Sequence, residues 1–233
     1  MASRKLLEKY YPSEKYNGTK IFYDWIADAI NNNCTILNFG AGTTSIDKAK
    51  SLKGKVETVY GVDIDERVLT NKDLDTSLHL KDDLLPFEDN FFDLVFSDFV
   101  LEHLANPKIN FKEIYRVLKP NSSFYFRTPN LYHYVSVISK FTPHWFHLMY
   151  AKNMLEDHEP HKTYYKANSE KNIIKLAKEA GFKQIDLRFV EFEPSYLLFN
   201  RMFFYLGLSY ERLVNKFQGL HNYRANIFGK LTK

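Results

Sequence analysis

Apolar residues recur along this chain in two rhythms. In TKIFYDWIADAINN (19–32), Ile21, Phe22, Trp25, Ile26 and Ile30 fall three or four apart, the period of a helix face, and Asn31–Asn33 end the run. TILNF (35–39) then reads as a continuous apolar strand, followed in the same manner by VETVYGV (56–62), SLHL (77–80), FFDLVFS (91–97) and SFYFRT (123–128). Between these strands, helices are expected over 45–53, from DERVLTNK onward (65–72), over 99–104 and over 107–118, the last stopping at Lys119-Pro120. NSEKNIIKLAKEAGF (168–182) predicts a helix capped by Asn168 or Ser169 and ended by Gly181. KQIDLRFVE (183–191) predicts a sixth strand, 195–217 a long aromatic helix, and RANIFGKL (224–231) a last strand.

Alternating strands and helices imply βαβ crossovers, and near-continuous apolar strands imply a sheet buried on both faces. The fold class expected is α/β: a Rossmann-like, doubly wound, mostly parallel seven-stranded sheet with helices on both faces. Residues 131–167 break the alternation and read as an aromatic, histidine-rich insertion after strand five. The domain reading is an N-terminal arm and helix (1–33), a ligand-binding core (34–130), a lid or substrate-recognition insertion (131–167), and a C-terminal part of the same domain (168–233) with the aromatic helix.

Composition narrows the class of protein. Hydrophobic content of 45% is ordinary for a soluble globular chain, whereas 16% aromatic residues, concentrated after residue 130, suggest an apolar pocket or interface in the C-terminal half. The net charge of +4 comes without any basic run, which argues against a nucleic-acid partner. A single cysteine, Cys34, rules out a disulfide framework or cysteine metal site within one chain and fits a reducing cytoplasm. MASRKLLEKYYPSEKY has no apolar core and does not read as a secretory signal. The most apolar later run, Tyr196 to Leu208, is interrupted by Asn200 and Arg201 and is too short to span a bilayer. A cytoplasmic protein without an integral membrane segment is expected, with peripheral membrane contact left open.

The chemistry begins at ILNFGAGTTS (36–45). In an open parallel sheet, ligands bind beyond the carboxyl ends of the strands. Gly40-Ala41-Gly42 stands at such an end, where two glycines let the backbone turn sharply and come close to a ligand. A tight turn with no ligand remains the plain alternative. The second strand ends at Gly61-Val62-Asp63-Ile64-Asp65, and a carboxylate there can accept both hydrogen bonds of a ribose diol. Loop and acid together indicate a nucleoside cofactor. A dinucleotide loop wants a third glycine where Ser45 stands, so that match is poor.

KDDLLPFEDNFFDLVFSDFVLEHL (81–104) and EIYRVLKPNSSFYFRTPN (113–130) extend the pattern. Glycine loop, acid after strand two, aspartate before L-P-F, an F-D-x-V strand, L-E-H and R-V-L-K-P occur in order over residues 34–130. The chain thereby resembles the class I S-adenosylmethionine-dependent methyltransferases, in particular the small-molecule type 11 group. The resemblance implies S-adenosylmethionine as cofactor. Gly40, Ala41 and Gly42 would face its methionine part, Asp63 its ribose, and Ile64 its adenine. Asp82 or Asp83 would accept from the adenine amino group beside Leu84, and Asp98 would border the same site. Two departures stand out: Thr44 where a third loop glycine is common, and Asn121-Ser122-Ser123 where a glycine pair is usual.

Methyl transfer from a sulfonium is an in-line displacement that mainly needs alignment, and a hydroxyl or neutral amine acceptor gains from a base. His103, after the fourth strand, is the candidate base, with local packing as the plainer reading. Asp98 and Glu102 share its region, where solvated or capping roles compete. His133, His144 and His147, with Tyr11 from the N-terminal arm, are candidates for acceptor recognition. His158-Glu159-Pro160-His161 looks ligand-like, but Pro160 breaks the helix that would give it geometry, so no metal is expected. The aromatic helix is a core element, a homodimer contact or a surface for a lipid-linked substrate. The reading favoured is a methyltransferase acting on a small molecule, at the oxygen of a sugar or related metabolite. N-methylation of an amino sugar, and an isoprenoid or quinone acceptor, stand close behind. A nicotinamide-dependent oxidoreductase or epimerase, and a non-catalytic binding module, are the alternatives of another class.

Overall fold

A computed structural model describes residues 2–13, 16–141, 162–194 and 197–233. Its centre is a seven-stranded sheet built from β1 (Thr35–Phe39), β2 (Thr58–Asp63), β3 (Thr76–His79), β4 (Phe92–Asp98), β5 (Leu118–Pro129), β6 (Gln184–Val190) and β7 (Asn226–Thr232). The order across the sheet is β3-β2-β1-β4-β5-β7-β6. All neighbours are parallel except β7, which runs antiparallel to both β5 and β6. The chain starts at β1 in the middle, works outward to β3, then returns to β4 on the other side. The strand order therefore reverses between β1 and β4, where a crevice opens beyond the strand ends.

Side chains alternate across each strand and fill two cores. On one face, Leu37, Val95, Phe124, Phe126, Ile227 and Leu231 meet Phe111, Ile114 and Val117 of α3 (Pro107–Val117) and Ile173 and Ala177 of α5 (Glu170–Ala180). Here α4 denotes Tyr134–Phe141. On the other face, Ile36, Val59, Leu94, Phe96, Tyr125 and Phe228 meet Phe22, Tyr23 and Ile26 of α2 (Gly18–Ala27), together with Leu52, Val68 and Leu74 from the connections. The doubly wound sheet with helices on both faces is thus as expected. Outside this frame, α1 (Ala2–Tyr10) lies against α6 (Arg201–Lys216), with the Tyr10 ring 5.9 Å from Phe204 and 6.1 Å from Tyr205.

The connections near the crevice are shorter in helix than the sequence pattern suggests. The 45–53 segment holds only a 3₁₀ turn, Lys48–Lys50, capped by Asp47. Its large apolar residues are Ile46, which is 89% exposed, and Leu52, so no stripe exists to bury a longer helix. Glu66–Thr70 and Leu101–His103 are likewise single 3₁₀ turns. The capping reading of 168–182 is matched by Ser169, whose side chain accepts from Asn172 N, and by Gly181 in the left-handed region at φ 111°.

Candidate active site

At the tip of β1 the chain turns on two glycines with positive φ, Gly40 at 78° and Gly42 at 53°. A Cβ on Gly40 would lie 2.3 Å from Val100 Cγ2, so only glycine fits there, whereas a Cβ on Gly42 would point into open space. Gly40 N and Ala41 N both donate to Val62 O, and Gly42 N donates to Asp63 Oδ2 at 2.8 Å, which pins the loop to the end of β2. Asn71 Nδ2 holds the carbonyls of Ala41 and Gly42 from the other side, each at 3.1 Å. Gly42 therefore leaves open space in front of a fixed backbone, while Gly40 lets Val100 pack against the turn.

One cavity of about 410 Å³ runs along this edge, a size typical of small-ligand sites. Gly40, Gly42, Asp63 and Ile64 line one end, Asp82 and Asp83 a side, and Asp98, Phe99, Val100, His103, Lys162 and Tyr164 the other end. Of the cofactor-side residues expected from sequence, the cavity brings together Gly40, Gly42, Asp63, Ile64, Asp82, Asp83 and Asp98. Ala41 packs toward the core instead, and Leu84 stands 59% exposed outside the lining.

The four aspartates differ in what remains of their acceptor capacity. Asp63 accepts from Gly42 N and, through Oδ1, from Asp65 N at 2.9 Å, which leaves lone pairs on both oxygens. Asp83 is held through both oxygens by the amides of Asn106 and Asn110. Asp82 uses Oδ1 to accept from Leu84 N at 2.9 Å. Asp98 is committed to an ion-pair cluster. Parallel register places it beside Arg127 on β5, whose guanidinium binds it through two nitrogens. Lys50 Nζ adds an ion pair at 3.2 Å and Tyr23 Oη a hydrogen bond at 3.3 Å. Burial alone would raise the Asp98 carboxyl, but Arg127, seconded by Lys50, outweighs it and holds the group below the usual carboxylate range.

Two neighbours complete this end. Phe99, at φ 57°, occupies backbone space that bulky residues seldom enter, and it presents its ring 4.7 Å from the Arg127 guanidinium. His103 Nδ1 lies 3.0 Å from the carbonyl oxygen of Lys162. A carbonyl only accepts, so Nδ1 carries the hydrogen and Nε2 is the basic nitrogen of the neutral ring. Beside it, Glu102 is neither solvated nor a cap. Its side chain is buried and accepts from Thr128 Oγ1 at 3.1 Å, and burial pushes its carboxyl up to about 7.

Two of the acceptor-recognition candidates, Tyr11 and His133, stand elsewhere. Tyr11 donates to Glu211 Oε2 on α6 at 3.1 Å and does not line the cavity. His133 is buried against Tyr134 and Tyr210, its Nε2 3.5 Å from Glu191 Oε2. His144 and His147, like His158 and His161, lie outside the described residues. Conversely, Arg127, Lys50, Asn106, Asn110, Phe99, Lys162 and Tyr164 were not singled out from sequence. Arg127 left the clearest trace, as a lone cation inside the apolar run SFYFRT.

A glycine cradle at the strand-order reversal, backed by a carboxylate on the next strand, is the site of a class I methyltransferase fold. Residues 37–126 match the family model of the methyltransferase domain. These residues are similar to methyltransferase domains, and the fold is that of the class I, S-adenosylmethionine-dependent methyltransferases. Among solved structures, a SAM-dependent methyltransferase from Archaeoglobus fulgidus is 14% identical with a TM-score of 0.58, over 99% of each chain. YcgJ from Bacillus subtilis is 14% identical with a TM-score of 0.56, over 91% of this chain and 98% of its own. The [4+2]-cyclase SpnF is 15% identical with a TM-score of 0.57, over 92% of this chain and 81% of its own. No curated protein matches the chain.

The lining fits that cofactor. Its diol and amino group are donors and its sulfonium is a cation, while the cavity offers carboxylate acceptors and the open space in front of Gly42. Bound, the cofactor supplies an activated methyl group.

Proposed function

We propose that the chain methylates a small-molecule acceptor, at a hydroxyl of a sugar or related metabolite, with His103 as the base that takes the acceptor's proton. The observation that carries this reading is that one cavity is lined by Gly40, Gly42 and Asp63 as well as by His103. Asp63 is the residue for the ribose hydroxyls, because its oxygens keep lone pairs after binding the loop. Asp82 is the better choice than Asp83 for the adenine amino group, since it accepts one hydrogen bond, from Leu84 N, where Asp83 accepts two, from Asn106 and Asn110, and so has more acceptor capacity to spare. Asp98 acts through structure: it anchors Arg127, which supports the ring of Phe99 at the cavity wall.

His103 suits a base for two reasons. It lines the cavity, and its Nδ1 hydrogen bond to Lys162 fixes both the ring's orientation and the tautomer that leaves Nε2 basic. Lys162 and Tyr164 border the same end, and Tyr164 is 38% exposed, which gives an acceptor an entrance and a ring to pack on. Phe99 narrows the opening, so the acceptor meets an apolar wall with a polar base beside it.

Turnover with a panel of sugars, amino sugars and quinols, scored by release of S-adenosylhomocysteine, tests the proposal. Methyl ethers on a sugar are the expected products. Turnover confined to amines or quinols would move the reaction to a different acceptor class, and a chain that binds cofactor yet turns over no acceptor would leave the binding-module reading.

A further inference from the structure

Helix α6 carries large apolar side chains on its exposed side as well as on its buried one. Its buried side carries Phe204, Gly207, Glu211 and Val214, where Glu211 is tied up by Tyr11 and Asn215. Its outward side carries Met202, Leu206 and Leu213, spaced by four and seven residues and exposed by 62%, 57% and 49%. Phe199 just before the helix, Tyr205 within it and Phe217 just after it are exposed as well. A contiguous apolar patch of this kind on a soluble protein marks an interaction surface.

The charges around the patch identify its partner. The exposed charged side chains of α6 are Arg201, Arg212 and Lys216, all basic, because the helix's one acid, Glu211, is buried. Lys9 of the adjoining α1 lies over the ring of Tyr10, which packs on Tyr205, and Glu8 is the one acid of α1. An apolar stripe bordered by cations is the pattern of a helix lying in the interface of an anionic membrane. Among the described residues no helix is long and apolar enough to cross a membrane, so α6 would lie in the interface rather than span it. A second copy is a poorer occupant. Antiparallel pairing of α6 with itself would bring Arg201 toward Lys216 of the other copy, and parallel pairing would bring each cation to its own counterpart.

We propose that the outward face of α6 seats this protein on an anionic bilayer surface, with Met202, Leu206 and Leu213 entering the acyl boundary and Arg201 and Lys216 at the headgroups. This does not depend on the acceptor proposed above. The test is sedimentation of the full chain with vesicles of phosphatidylcholine alone and of phosphatidylcholine with phosphatidylglycerol. Binding to the anionic vesicles should exceed binding to the neutral ones by roughly tenfold or more, and should weaken in high salt. Both the Met202→Ser, Leu206→Ser, Leu213→Ser variant and the Arg201→Glu, Lys216→Glu variant should reduce it by at least about tenfold. Absence of vesicle binding, equal binding to both vesicle types, or full binding by the charge-reversed variant would overturn the proposal. So would a native dimer that the serine variant dissociates, since the face would then be a self-contact. Should the serine variant fail to fold, Leu206→Trp decides: its emission should shift to the blue and be quenched by brominated lipid in anionic vesicles, and unchanged emission would count against the proposal.

Discussion

His103, Glu102 and Asp63 each present a different problem of charge. His103 lines the cavity, and because the Lys162 carbonyl takes the hydrogen of Nδ1, Nε2 is the basic nitrogen of the neutral ring. His103→Ala should lower turnover by roughly 100-fold or more, the usual worth of a general base, while S-adenosylhomocysteine still binds with native affinity. Native turnover in that variant would remove the base role. Glu102 is a buried acid whose carboxyl rises from its ordinary 4.5 to about 7, chiefly through burial. Between those values the unfolded chain has released a proton that the folded chain keeps. Stability therefore falls as pH rises from about 4.5 to about 7, by up to about 3 kcal/mol at about 1.4 kcal/mol per pKa unit, and is unaffected by this group above that window. Glu102→Gln keeps a partner for Thr128 and has no proton to lose. Its melting temperature relative to the native chain should be higher at pH 8 than at pH 5, and an identical difference at both pH values would contradict the account.

At the scale of elements, the first turn after β1 and the pairing of β4 with β5 shape the site. Gly40→Ala should destabilise the fold by about 1–3 kcal/mol, from positive φ and from the 2.3 Å approach to Val100 Cγ2, and should weaken cofactor binding. Adding Val100→Ala should recover part of both losses, as urea unfolding and titration of cofactor would show. Arg127→Met should cost about 3–5 kcal/mol, because Asp98 then stays nearly buried without its main partner. Elements with strong local signals were legible in the sequence. The first strand, 35–39, was read to the residue, and Ser169 and Gly181 ended α5 as their chemistry dictates. The helices expected over 45–53 and from 65 onward shrank to 3₁₀ turns because too few apolar residues recur to bury a helix face. The partners of Asp98 were not legible: Tyr23, Lys50 and Arg127 come from three separate segments and meet only in the folded sheet. The places of the loop and Asp63 at the strand ends could be read because each closes an apolar run, whereas Phe99 could not, since its backbone angle has no sequence signature.

For the molecule as a whole, the order β3-β2-β1-β4-β5-β7-β6 sets the crevice beside β1 and β4, and the family match over 37–126 covers the strands that form it. A fold shared with a [4+2]-cyclase does not by itself name the reaction. The acceptor must therefore be found by turnover, while the cofactor's position can be tested by binding alone. The most direct measurement is calorimetric titration of the native chain, His103→Ala and Asp63→Ala with S-adenosylhomocysteine and, separately, with NAD. The account predicts that S-adenosylhomocysteine binds the native and His103→Ala chains alike, that Asp63→Ala loses at least about tenfold in affinity for want of its charge-assisted hydrogen bonds, and that NAD does not bind. Tight binding of NAD, or undiminished binding of S-adenosylhomocysteine by Asp63→Ala, would contradict it.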